Sequence, residues 1–232
     1  MRSDPRLYVI PGSHACRAAM LMLEHKGIGW RAFVFPAGLQ TVSMRLLGFR
    51  GRTVPALKLD GTRVQGNRSI ARYLDRIEPD PPLLPRARQA VIEEAERFAD
   101  EVLQTVARRL VLAAGRHDLN GLAEHGDAGR LGALLARRRG RRSRVMWLAA
   151  RYFGVSDETE ALDLAALPRI LDRIDSWLAA GVLEGAELNA ADLQTAPSLA
   201  LLAYRLDVRE IVESRPSWQL VERLLPTQVE AR

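Results

Sequence analysis

Two groups of residues in this chain have types and spacings suited to chemistry. The first is Ser13-His14-Ala15-Cys16, which follows Pro11-Gly12 and opens an apolar run of helical period. A hydroxyl at a helix N-terminus can donate a hydrogen bond to sulfur while the helix dipole favours negative charge. Ser13 could therefore hold a thiol as the thiolate, its nucleophilic form. Alternatively Ser13 is only the N-cap of the first helix. Cys16 reads as a small buried apolar residue or as a reactive thiol. His14 reads as an exposed first-turn histidine able to assist proton transfer. The second group is Thr53-Val54-Pro55, before an apolar strand. Proline cannot donate to a sheet ladder, so it belongs at a strand's first residue or edge. The Val54-Pro55 bond is a candidate cis peptide, an arrangement that leaves the Val54 backbone N–H and C=O for a ligand's backbone. The alternative is a proline that merely opens an edge strand.

Composition narrows the class. With 47% apolar and 27% charged residues, the chain has the make-up of an ordinary globular protein, and 232 residues suit one large domain or two small ones. No apolar run approaches the length needed to span a bilayer, and the N-terminus lacks the apolar core of a signal peptide. The single cysteine excludes an internal disulfide framework and a multi-cysteine metal site, so a cytoplasmic location is expected. His25, His117 and His125 are too scattered to suggest zinc, and no metal is expected. Net charge is +6, carried almost wholly by arginine, since Lys26 and Lys58 are the only lysines. Much of the excess lies in Arg137-Arg138-Arg139-Gly140-Arg141-Arg142-Ser143-Arg144. That run could meet phosphates or an anionic membrane surface, or form a solvated turn between helices. It carries no interleaved aromatics and no nucleic-acid-binding motif, so nucleic acid is not an expected partner.

The elements that must position these residues follow from periodicity. Leu7 to Ile10 reads as a strand, Ser13 to Lys26 as a helix stopped by Gly27, and Trp30 to Phe35 as a second strand. Val42 to Leu47 suggests a short helix. Ala56 to Leu59 and Thr62 to Val64, joined by Asp60-Gly61, form a hairpin. Asn67 is placed to cap a helix from Arg68 to about Ile77. A small mixed sheet results, with a parallel first pair and an antiparallel hairpin. The prolines of 79–85 suggest a stiff linker between a domain at 1–78 and an all-helical one at 86–232. There, Arg86 to Leu112 reads as one long amphipathic helix with Val91, Ala95, Phe98, Val102 and Val106 on a face. His117 to Asp127 reads as a loop, and Leu131 to Phe153 as one or two helices broken near Gly140. Leu164 to Leu178 reads as a helix whose start Pro168 limits, and Pro216 to Leu225 as a last one. Asn189 and Asp192 form a capping box, flanked by the staple pair Leu188 and Leu193.

Taken in this order, Ser13 to Cys16, Val54-Pro55 before a hairpin, Gly66-Asn67-Arg68-Ser69-Ile70-Ala71-Arg72-Tyr73-Leu74 and the Asn189–Asp192 box resemble the cytosolic glutathione transferase superfamily. The resemblance covers nearly the whole chain. It implies an α/β thioredoxin-like N-terminal domain followed by an all-α helical-bundle domain. It implies glutathione, or another small thiol, as co-substrate, a hydrophobic electrophile as acceptor, and a homodimer. It makes Ser13 the catalytic residue by position, with His14 beside it. Thr53, Val54 and Pro55 match the family's cis-proline motif, whose residue before proline pairs with the cysteinyl part of glutathione. Where the family has an acidic or amide residue followed by serine to hold the γ-glutamyl group, this chain has Gly66-Asn67. Gly66 could offer a backbone N–H, Asn67 a side-chain donor, and Gln65 a substitute from one place earlier. Cys16 matches the second cysteine of the glutaredoxin redox motif, with serine in the first place.

Three functions compete: a glutathione-transferase-like enzyme using Ser13, a non-catalytic adaptor of the same fold, and a glutaredoxin-like reductase using Cys16. An acceptor pocket is expected against the helix from Arg86, with Phe98, Val102 and Thr105 as candidates.

Overall fold

The computed structural model describes residues 5–35, 40–51, 53–117, 130–131, 139–185 and 187–226. The N-terminal part runs β1 (Arg6–Val9), α1 (His14–His25), β2 (Arg31–Val34), α2 (Gln40–Leu46), β3 (Ala56–Leu59), β4 (Thr62–Gln65) and α3 (Asn67–Ile77). Its four-stranded sheet has the order β2-β1-β3-β4, with β1 parallel to β2 and antiparallel to β3, and β4 antiparallel to β3. This is the mixed sheet expected from the sequence. Alternation along the strands divides the core. Leu7, Val9, Leu57 and Leu59 face α1 and α3, whereas Tyr8 and Ala56 turn to the other side with Met44 and Phe49.

The rest is helical: a 3₁₀ turn at Arg86–Arg88, α4 (Gln89–Phe98), a π turn at Ala99–Leu103, α5 (Gln104–His117), α6 (Arg139–Tyr152), α7 (Asp157–Ala179), α8 (Ala190–Leu202), α9 (Leu206–Glu213) and α10 (Trp218–Leu224). Every residue of α8 is buried. An α-helix buried on every side belongs at the centre, and α8 packs against α1, α4, α5 and α10. The expected capping box starts it. The Asn189 side chain accepts from the backbone N–H groups of Ala191 and Asp192. Asp192 accepts from Asn189 N at 2.9 Å and Glu184 N at 2.6 Å. Burial nonetheless pushes the Asp192 carboxyl up to about 6, outweighing those hydrogen bonds.

Several elements differ from expectation. Gly66, at φ 83°, takes the cap position of α3, and Asn67 is the first residue inside the helix. The long run from Arg86 is broken by the π turn. The extra residue of a π turn rotates the inward face. The buried side chains are therefore Ile92, Ala95, Ala99, Leu103, Val106 and Leu110, while Val102 is exposed. The α7 helix extends through Pro168 because a second capping box, Ser156 with Thr159, starts it two turns earlier. Gly140 is the second residue of α6, and residues 132–138, where the run from Leu131 would precede it, lie outside the described residues. Residues 118–127, most of the expected loop, lie outside the described residues, as do the side chains of the 137–144 arginine run.

Two ionic clusters join the parts. Lys26 is fully buried. It meets Asp75 at 2.5 Å and donates to the Glu78 and Pro81 carbonyls. Asp75 also accepts from Leu83 N and Leu84 N, and Leu83 O accepts from Ala190 N. The proline-rich segment is thus fastened on both sides, not an open spacer. In the second cluster Glu96 is fully buried and bound by Arg72 at 2.8 Å, with Gln194 donating to its other oxygen.

Candidate functional site

The chain leaves β1, turns at Gly12 with φ 69°, and enters α1 with Ser13 as N-cap. The Ser13 hydroxyl accepts from Cys16 N at 3.3 Å. It also lies against the Cys16 sulfur. A hydroxyl has two lone pairs and one rotatable proton. Ser13 can therefore stay a cap while its proton turns from a neutral buried thiol to a ligand thiolate, which is the stronger acceptor.

Cys16 itself is sealed in the core. Burial pushes its thiol up, against the opposing influence of Ser13, Ile10 and Arg108. The thiolate that a reductase would require is disfavoured, and of the two readings of Cys16 the burial favours the small packed residue over the reactive thiol.

His14 is also buried, not exposed as the sequence suggested. Its ring hydrogen-bonds the Gln104 backbone carbonyl, while Nε2 has no partner among the described residues. Burial, and then the nearby Arg108 charge, hold its pKa well below the ordinary value. The first turn of α1 is thereby fixed to α5 as neutral imidazole.

The Val54-Pro55 bond is cis. Pro55 O accepts from Gly66 N at 3.0 Å, so the N–H expected to serve a ligand is used inside the fold. Gln65 is likewise committed: Oε1 accepts from Gly51 N at 2.7 Å and Nε2 donates to Thr53 O at 2.5 Å. These bonds tie 51–53 to the end of β4. They overturn the expectation that Gly66 N–H or the Gln65 amide is available. Among the described residues no backbone hydrogen bond engages Val54. Asn67 is buried with Oδ1 unpartnered, at the N-terminus of α3. Val54 and Asn67 keep unspent polar groups.

On the helical side, Phe98 stands edge-on to Trp177, with centroids 5.2 Å apart, and belongs to the α4–α7 contact. Gln104 and Arg108, which sequence reading did not single out, face α1 instead. Arg108 donates to Gln104 Oε1 at 2.6 Å and lies 4.5 Å over the Phe153 ring. Only the four-residue spacing of Asp100, Gln104 and Arg108 hinted at this line.

Residues 7–82 match the family model "Glutathione S-transferase, N-terminal domain". Residues 7–82 thus carry a glutathione S-transferase N-terminal domain, and the chain as a whole has the fold of solved glutathione transferases. A glutathione S-transferase of Ceriporiopsis subvermispora, solved in complex with glutathione, superposes with a TM-score of 0.67 at 16% identity, covering 96% of this chain and 95% of that one. The glutathione transferase GSTFuA3 of Phanerochaete chrysosporium gives 0.67 at 18%, covering 97% and 96%. Maleylacetoacetate isomerase of Anaeromyxobacter dehalogenans, with bound dicarboxyethyl glutathione and citrate, gives 0.58 at 20%, covering 95% and 89%. No curated protein sequence matches this chain. The glutathione-transferase fold accounts for the order of the site: α1 cap, cis-proline turn, α3 N-terminus. Among the described residues, no helix is long and apolar enough to cross a membrane. His117, Asp157 and Glu160 bring ligand atoms together, so His117 is less isolated than its sequence position suggested. The first two are exposed, and Arg116 and Arg205 already pair with the carboxylates.

Proposed function

We propose that this protein is a glutathione-dependent thiol transferase in which Ser13 holds the cofactor thiolate for attack on a small electrophile. The observation that carries this reading is the Ser13 hydroxyl at the α1 N-cap, with lone pairs toward the backbone and a proton to give. Val54 supplies backbone N–H and C=O for the cysteinyl unit. Asn67 Oδ1 and the free N–H groups of the first turn of α3 receive the γ-glutamyl ammonium and carboxylate. The glutathione complexes of structural neighbours support the choice of thiol. The cytoplasmic setting and the homodimer implied by the resemblance belong to the same proposal.

The chemistry is a displacement or addition. The thiolate sulfur forms a bond to the electrophilic carbon, and the leaving group departs with its electron pair or the adduct takes up a proton. Hydrogen bonding by Ser13 favours the anion before attack.

Conjugation of glutathione to 1-chloro-2,4-dinitrobenzene tests this. Ser13→Ala should lower kcat/KM by about a hundredfold, in the range of a lost oxyanion-type donor, and raise the pKa of bound glutathione read by thiolate absorbance. Ser13→Thr, which keeps hydroxyl and cap, should retain most activity. An unchanged rate in Ser13→Ala would remove Ser13 from the mechanism.

A further inference from the structure

Arg108 is a half-buried cation that touches no carboxylate directly among the described residues. Arg72, Arg109 and Arg205 each touch a carboxylate directly, on Glu96, Asp163 and Glu160 respectively. Among the described residues no carboxylate lies within ion-pair distance of Arg108. Its guanidinium has one neutral acceptor, Gln104 Oε1, and one aromatic face, Phe153. A guanidinium carries five N–H donors, so most of the fork is unspent. Gln104 is itself held by Asp100 at 3.0 Å, which fixes the orientation of the fork from behind. Burial weakens the hold of Arg108 on its proton, and the charge of Asp100, one residue behind Gln104 in this line of contacts and not in direct contact with the fork, opposes that only in part.

The position is as informative as the charge. The His14 ring bonds the Gln104 backbone carbonyl, and Arg108, one turn further along α5, holds the Gln104 side chain, so the guanidinium is tied through Gln104 to the first turn of α1 that Ser13 caps. It arrives from the helical part, whereas the thiol's contacts, Ser13, Val54 and Asn67, come from the N-terminal part. Tyr152 of α6 lies within its electrostatic reach, and Phe153 beneath it.

We propose that Arg108 is the receptor for a negatively charged group on the acceptor, so that this site takes carboxylate-bearing electrophiles in preference to neutral ones. A planar fork held over an aromatic ring matches a carboxylate in two-point geometry. The assignment rests on the thiol-transferase reading for the reaction, but not for the binding of the anion.

Titration calorimetry with 3-nitrobenzoate and the isosteric 3-nitrobenzamide separates the two. The benzoate should bind the unaltered protein about tenfold or more tightly than the amide. Arg108→Gln should abolish the preference, and Arg108→Lys, which keeps the charge without the fork, should retain part of it. Equal affinities in the unaltered protein, or a preference that survives Arg108→Gln, overturns the proposal. Melting curves establish that each variant is folded. In parallel, glutathione is offered 4-chloro-3-nitrobenzoate and its methyl ester. Attack at the chlorine-bearing carbon forms the C–S bond and expels chloride with the bonding pair. A binding preference without conjugation of either compound supports the receptor while the transferase reading fails. Rates that fall alike for both compounds in Arg108→Gln, with a raised pKa of bound glutathione, assign the charge to the thiolate and overturn the proposal.

Discussion

His14 shows how a single residue records the packing of two parts of the molecule. Burial and the Arg108 charge keep it neutral when folded, with its pKa well below the ordinary value of about 6.5. The unfolded chain therefore binds the proton first as pH falls, and the native state loses stability below about pH 6.5 through this group. Urea titrations at pH 7.5 and 5.5 (set to bracket the ordinary histidine value, about 6.5) should show the native protein losing more stability between the two than His14→Gln does. Equal losses would place the ring in water. The roles of Ser13 as cap and of Cys16 as a small buried residue were legible from their positions after Pro11-Gly12. The burial of His14 was not, because its surroundings come from α5, ninety residues away in the chain. For the same reason the commitments of Gln65 and Gly66 to Thr53, Gly51 and Pro55 were invisible: they depend on where the hairpin brings its end.

At the scale of elements, local signals were read well and long-range phase poorly. The parallel β1–β2 pair, the β3–β4 hairpin, α1 and the start of α8 follow from spacing and caps near in sequence. The inward face beyond Phe98 does not, because a π turn is a choice made by packing. The cap of α8 has consequences in proportion to the burial of that helix. Asp192→Ala leaves the N–H groups of Glu184 and Asn189 without acceptors in the interior. The expected cost is about 3 kcal/mol, from two lost buried hydrogen bonds and the cap. It should appear as a lowered denaturation midpoint with an unchanged slope. A loss below about 0.5 kcal/mol would mean that water replaces the carboxylate.

For the whole molecule, the proline-rich segment was legible as a break in pattern but not as a joint. Its rigidity comes from Lys26 and Asp75, which gather the carbonyls and N–H groups of 78–84, and from Leu83 and Leu84, which enter the core. Lys26→Ala removes the buried cation and leaves Asp75 without its charge partner. The expected loss is about 3 kcal/mol or more, together with new protease cleavage between residues 78 and 85 while both flanking parts stay protected. Cleavage spread evenly over the chain would show that Lys26 supports the fold generally and not this joint.

The tie between Gly51 and Gln65 reaches beyond stability. A Cβ at Gly51 would overlap the Gln65 carboxamide and push that end of the side chain aside. The loop that carries Thr53 would then lose both of its tethers. The two positions therefore act as one unit: whatever moves the Gln65 side chain releases Gly51 N–H and Thr53 C=O together, on the strand side of the cis-proline turn.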